Sequence, residues 1–181
     1  MHEWKRTGSK VIYDKFIKLY EDNIIDPNGN PGVRNRIEIK SGSVVIIPRD
    51  KDDNFYLIGQ QRYAVNEYSW EFPNGGIENG EKPEEAAVRE LGEETEKETS
   101  DLHYLGYFHP VNSLMNRNVH VFFANNVEPT GNKTWQSDDY ERLELKMFKM
   151  SEIGAMILNN KISDGFTIAA LSKYNLWIKN K

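Results

Sequence analysis

Nine glutamates crowd residues 78 to 98, at positions 78, 81, 84, 85, 90, 93, 94, 96 and 98, opposed only by Lys82, Arg89 and Lys97. This run constrains the fold more than any other stretch, because carboxylates that close repel and raise one another's pKa unless a cation intervenes. Pro83 suits a first helical position, where a missing N–H is tolerated, and Glu84 to Thr95 reads as helix. Positions three and four apart share a helix face, so Glu90, Glu93 and Glu94 project their carboxylates to one side. Hard divalent cations want oxygen ligands, and magnesium typically takes one or two carboxylates while water and substrate phosphate fill its other positions. The three glutamates therefore make a reasonable magnesium platform. Alone, the helix would read as a good helix former with a solvated face. The stretch ahead of it, Trp70-Glu71-Phe72-Pro73-Asn74-Gly75-Gly76-Ile77-Glu78-Asn79-Gly80-Glu81, argues otherwise, since a solvated helix requires no such glycine loop.

The rest of the chain reads as strands, one helix, strands, then helices. Residues 11–13 and 16–20 alternate up to a break at Asp26-Pro27-Asn28-Gly29-Asn30-Pro31-Gly32, and Arg36-Ile37-Glu38-Ile39-Lys40 alternates again, a hairpin signal. Ser43 to Pro48 reads as a buried strand, with Phe55 to Arg62 as its expected strand partner. Leu102 to His109 and Val119 to Asn125 read as two more strands, and Leu143 to Phe148 follows a hydrophilic loop, Glu128 to Tyr140. Ser151 is the expected N-cap of a C-terminal helical region that runs to Trp177. This order predicts an α/β (α+β) fold in which a mixed β-sheet is sandwiched between helices.

Composition removes whole classes of function. At 181 residues the chain is about one domain, long enough to build a core without disulfides. It has no cysteine, which removes thiol catalysis, cysteine-ligated zinc and iron–sulfur clusters, and any argument for an oxidising compartment. A net charge of −5 lacks the broad basic footprint of phosphate-backbone binding, so nucleic acid is not an expected partner. With a mean hydropathy of −0.70, nothing approaches the roughly 18 apolar residues of a membrane span, and Met1-His2-Glu3-Trp4-Lys5 starts no apolar signal region. A cytoplasmic protein without a membrane partner is expected.

The glycine loop and acidic helix together resemble the Nudix box, G-x5-E-x7-R-E-U-x-E-E-x-G-U with U a bulky aliphatic residue. Gly75, Glu81, Arg89, Glu90, Leu91, Glu93 and Glu94 match it. Glu96 stands where the family has glycine and Lys97 where it has an aliphatic residue. The missing glycine would supply a left-handed cap, so the helix is expected to run on or to end with strain. The Trp70-Glu71-Phe72-Pro73 approach, the long N-terminal hairpin, Pro110 and the segment Lys161 to Thr167 are similar to ADP-ribose pyrophosphatases and related nucleoside diphosphate sugar hydrolases. The resemblance implies a Nudix fold with antiparallel strands over residues 1–40, exchanged between the subunits of a homodimer, ahead of a hydrolase domain over 41–181.

The same resemblance implies roles. Glu90 and Glu94 become the main Mg2+ ligands, with Mn2+ an alternative ion, Glu93 ligating or supporting, and the Asn74 backbone carbonyl closing part of the shell. Arg89 orients the carboxylates, with Glu81; the alternative for this pair is an ordinary ion pair. Glu141, near Asp138 and Asp139, would bind a second metal or take a proton from the attacking water, unless that acidic run is a solvated turn. Arg62 is the expected phosphate clamp, Arg36 a second cation reaching substrate at the dimer seam, and Tyr13 or Phe16 a stacking partner for the base, against the alternative that both are core. His2, His103, His109 and His120 lack H-E-x-x-H spacing and read as structural. The implied reaction is Mg2+-assisted attack of water on a pyrophosphate, giving AMP and ribose 5-phosphate from ADP-ribose, or a nucleoside monophosphate and a sugar 1-phosphate from a conjugate such as GDP-mannose. Dinucleoside polyphosphates, NADH, coenzyme A or capped RNA are the alternative substrates within the class, and a non-enzymatic ADP-ribose-binding module is the alternative outside it.

Overall fold

The computed structural model describes residues 3–131 and 144–181. Two compact units emerge, Met1–Gly42 with His109–Asn118, and Ser43–Phe108 with Val119–Lys181. Among the described residues no helix is long and apolar enough to cross a membrane.

The first unit is an antiparallel sheet of β1 (Lys5–Asp14), β2 (Lys18–Ile25) and β3 (Pro31–Glu38), in the order β1-β2-β3. The break between β2 and β3 turns because the Asp26 carboxylate accepts the N–H groups of Asn28 and Asn30 at 2.8 Å each, while Gly29 takes a φ of 90°. Buried Asp22 holds the sheet face together, accepting from the Ser9 hydroxyl and from Arg36 Nε at 3.0 Å. Arg36 also bonds Glu38 at 3.0 Å and lies 4.1 Å from the Tyr20 ring centroid. The 109–118 segment docks on β3, with Leu114 O accepting from Ile37 N at 2.8 Å.

In the second unit β4 (Ser43–Pro48) is central, buried along its whole length. It pairs in parallel with β10 (Val119–Asn125) and antiparallel with β7 (Asn74–Gly76); β9 (Asp101–Phe108) completes a sheet of order β7-β4-β10-β9. A second, antiparallel sheet runs β12 (Glu144–Phe148), β5 (Phe55–Arg62), β6 (Glu67–Glu71). The expected pairing of β4 with β5 is therefore corrected: the two strands lie in different sheets. The unbroken Val44-Val45-Ile46-Ile47 run marks a strand covered on both faces, and each face belongs to a different core. Val45 and Ile47 pack with Leu57, Phe72, Val121, Phe123, Ile153 and Tyr174, whereas Val44 and Ile46 pack with Tyr56, Ala86, Ala87, Leu91, Phe122 and Ala124.

Among the described residues, three helices complete the unit. In α1 (Pro83–Thr95), proline opens the first turn and the Glu85 carboxylate reaches back to Lys82 N at 3.0 Å. The helix ends as the missing glycine requires, with strain: Glu96 takes φ 53° and ψ 33°, and its N–H closes on Gly92 O at 2.9 Å. The short strands β8 (Lys97–Glu98) and β11 (Glu128–Pro129) pair just beyond it. Helix α2 (Met150–Leu158) corrects the Ser151 cap: Lys149 is the N-cap, and Glu152 at the third helical position accepts its N–H at 2.6 Å. An acid placed to reach back does the work that the type of the N-cap side chain would otherwise do. Helix α3 (Gly165–Lys179) is capped by Asp164, which accepts from Thr167 N at 2.7 Å; buried Thr167 Oγ1 in turn accepts from Phe72 N at 2.9 Å, tying the glycine loop's entry to the core.

Candidate active site

The glycine loop is not free loop. Strand β7 hydrogen-bonds along β4, with Asn74, Gly75 and Gly76 opposite Val45, Val44 and Ser43, so the loop backbone is fixed to the most buried strand of the fold. Over it lies the last half of α1. A β-carbon built on Gly75 would sit 2.0 Å from Glu90 Oε1 and 2.1 Å from Glu90 Cδ. Gly75 is required because the Glu90 carboxylate occupies the space of its side chain. That position leaves Glu90 only 9% exposed, and burial pushes its carboxyl above the ordinary range against the opposing pull of Arg89. One turn on, Glu94 accepts Asn74 N–H at 2.8 Å.

Arg89 spends all five guanidinium donors inside the motif. Nε and Nη2 fork onto Glu81 at 2.9 and 3.0 Å, Nη1 bonds Glu90 at 2.8 Å and Glu93 at 2.9 Å, and Nη2 also bonds Gly76 O at 2.8 Å. Glu81 further accepts Glu78 N–H at 2.8 Å, and Arg89 holds its carboxyl below the ordinary range. Arg89 therefore anchors loop to helix and orients Glu90 and Glu93. This is more than an ordinary ion pair, because a point charge could not span four acceptors. One guanidinium facing three carboxylates leaves the cluster negative.

The second sheet adds an acid that the sequence reading overlooked. Glu71 is 2% exposed; Arg62 Nε lies 2.9 Å from its Oε1, and Arg62 Nη2 bonds its Oε2. Asn74 Nδ2 is 3.4 Å from the same oxygen and 2.9 Å from Phe72 O. The available signal was an acid in the otherwise apolar Trp70-Glu71-Phe72-Pro73 run, where burial without a partner is prohibitive.

Glu90, Glu93, Glu94 and Asn74 are thus brought together with Arg89, and Arg62 stands close by through Glu71 and Asn74. Glu141, Asp138 and Asp139 lie outside the described residues. Arg36, Tyr13 and Phe16 belong to the first unit; Tyr13 and Phe16 are 46% and 90% exposed there, which overturns the alternative that they are core. Among the described residues no three Asp, Glu or His side chains enclose an ion-sized space. The donors nevertheless fit a hard divalent ion in kind: all are oxygens, one or two suffice when water completes the shell, and Glu90's costly burial is what a cation would relieve.

A model of the NUDIX domain matches residues 40–169. The chain is 25% identical over 167 residues to an ADP-ribose pyrophosphatase of Bacillus subtilis, covering 92% of this chain and 89% of that protein. It is equally similar, with the same identity and coverage, to a methanol dehydrogenase activator of Bacillus methanolicus. Among solved structures, an ADP compounds hydrolase superposes with a TM-score of 0.87 at 21% identity, over 98% of this chain and 95% of that one, a likeness of fold.

Proposed function

Because this chain belongs to the Nudix family and is a Nudix hydrolase, we propose that its reaction is the Mg2+-dependent cleavage of nucleoside diphosphate sugars, ADP-ribose first among them, to a nucleoside monophosphate and a sugar phosphate. Nudix hydrolases generally use a divalent metal, and Mg2+, or Mn2+ in its place, suits the all-oxygen donor set. Its holders are Glu90 and Glu94, with Glu93 and the Asn74 carbonyl, and Glu141 for a second ion. When bound, the metal would supply charge neutralisation on the pyrophosphate and activation of water. The observation that carries this reading is Glu90 pressed against Gly75, an acid kept buried where a solvated helix would turn it outward.

The protein's own groups do the rest. Arg89 fixes Glu90 and Glu93 so that they need not reorganise. Asn74 N–H holds Glu94 from the loop side. Glu141 or Glu93 takes the proton of the attacking water, and Arg62 meets phosphate oxygens. Arg36, Tyr13 and Phe16 serve the nucleotide from the N-terminal sheet of a partner subunit. Support for that homodimer is the edge strand β1, which exposes Val11, Ile12 and Tyr13, with nearly bare Phe16 in the turn just after it; apolar edges of this kind pair with another chain. Light scattering tests the dimer: Ile12→Lys should yield monomer, and a monomeric wild type would refute it. A side-by-side panel of ADP-ribose, GDP-mannose, NADH, coenzyme A, dinucleoside polyphosphates and capped RNA tests the substrate class, and preference for any of the last four would overturn it.

A further inference from the structure

On the face of the second sheet that carries Glu71, two buried polar atoms have no hydrogen-bond partner among the described residues: Gln60 Nε2 and Ser69 Oγ. Gln60 is 6% and Ser69 5% exposed. They are directly opposite each other in the β5–β6 ladder, where Arg62 faces Glu67 and Ile58 faces Glu71. Residues two apart on a strand share a face, so Ile58, Gln60, Arg62, Glu67, Ser69 and Glu71 all project to one side. Arg62 and Glu71 stand four ladder steps apart, roughly 13 Å along the strands, yet their side chains meet. Both must lean toward each other over the intervening pair, so the ion pair lies across Gln60 and Ser69.

Native proteins rarely leave buried donors unmade, and each such group calls for an explanation. Arg62 is the group here that phosphate attracts, its side chain 37% exposed against 2% for Glu71. We propose that Gln60 and Ser69 are ligand-binding residues, an amide and a hydroxyl donor covered by the Arg62–Glu71 pair and uncovered when a pyrophosphate turns the terminal guanidinium nitrogens of Arg62 outward, while Nε stays on Glu71 and keeps that buried acid paired. Gln60 Nε2, Ser69 Oγ and the turned guanidinium then donate together to phosphate oxygens. The hydrogen bonds missing from the free protein are made in the complex. The pyrophosphate class of this ligand rests on the hydrolase reading above; the uncovering does not.

The test separates the two readings by measuring binding and stability rather than turnover. Full-length Gln60→Met and Ser69→Ala are compared with wild type by thermal melting without ligand, and by calorimetric titration with methylenediphosphonate, a non-hydrolysable pyrophosphate, in Mg2+ buffer. Removing a polar group that has no partner does not harm the free protein, whereas losing a donor to a charged oxygen costs about tenfold in affinity. The expected result is a melting temperature unchanged or raised in each variant, with methylenediphosphonate bound about tenfold more weakly. Unchanged affinity in both variants overturns the proposal. So does a lowered melting temperature in either, the mark of a structural pair bridged by water. Wild type that does not bind methylenediphosphonate overturns it too, while turnover of ADP-ribose would still stand for the hydrolase.

Discussion

Replacing Gly75 with alanine asks whether the Glu90 carboxylate must sit where it does. The new methyl carbon would lie 2.0 Å from Oε1, 2.1 Å from Cδ and 2.3 Å from Oε2 of Glu90. The Glu90 side chain has to retreat by at least about 1 Å to restore non-bonded contact, and in doing so it leaves Arg89 Nη1, now 2.8 Å away. The fold survives, because the obstacle is the end of a flexible side chain, and the loss of that hydrogen bond costs about 1 kcal/mol, a fall of roughly 2–4 °C in melting temperature for a chain of this size. Catalysis is far more sensitive: displacement by 1 Å costs on the order of 100-fold in kcat/KM, about 2.7 kcal/mol of barrier. Gly76→Ala is the control, since its β-carbon would meet nothing within 4 Å and its carbonyl remains for Arg89. The assay is Mg2+-dependent release of AMP from ADP-ribose, with circular dichroism melts of the same samples. Gly75→Ala turning over at the wild-type rate, or both variants failing alike, would refute the packing of Glu90 against the loop as the organising feature.

Other perturbations follow from the same geometry. Glu96→Gly relieves a left-handed residue that costs roughly 1–2 kcal/mol, partly offset by glycine's freer unfolded state, so urea denaturation should show a gain of about 0.5–1 kcal/mol. Arg89→Lys leaves one point charge for four acceptors, and should lower kcat/KM about 10- to 100-fold with a stability loss of about 2 kcal/mol. Glu81 and Glu90 should bend the pH dependence of stability in opposite directions. Arg89 holds Glu81 below its usual 4.5, so its stabilisation is present above that value and is lost as pH falls through the folded one. Burial raises Glu90, so its contribution is full below 4.5 and is lost as pH rises through the folded value. Urea midpoints of metal-free protein from pH 3 to 7 check both: Glu81→Gln should flatten the acid limb, and Glu90→Gln should gain on wild type toward neutrality.

The motif was legible because its chemistry is local. Glycine spacing, Pro83 and the Glu90, Glu93, Glu94 rhythm all lie within 21 residues, and helix period alone sets which carboxylates share a face. Even the departure at Glu96 could be read forward, since a helix that lacks its glycine still has to stop, and it stops with Glu96 in the left-handed region. Strand pairing was a different matter. Nothing in Ser43 to Pro48 says which neighbour it hydrogen-bonds, and the partners Val119–Asn125 and Asn74–Gly76 are remote in sequence or too short to signal. Glu71 went unread because its role depends on Arg62, nine residues back on the adjacent strand, a distance that only the β5–β6 turn makes short. Ser151 misled because Glu152, its neighbour, supplies the cap from the other direction.

If the Glu90 and Glu94 carboxylates, held over the glycine loop, serve a divalent-metal pyrophosphohydrolase of nucleoside diphosphate sugars as proposed, the metal and Glu94 must both be needed for turnover. Chromatographic analysis of ADP-ribose incubated with the full-length protein and Mg2+, alongside Glu94→Gln and a chelated control, measures both requirements. Wild type should give equimolar AMP and ribose 5-phosphate, none after chelation, and Glu94→Gln should be slower by at least about 100-fold. Wild-type turnover by Glu94→Gln, or undiminished product formation in chelator, would contradict the proposed reaction.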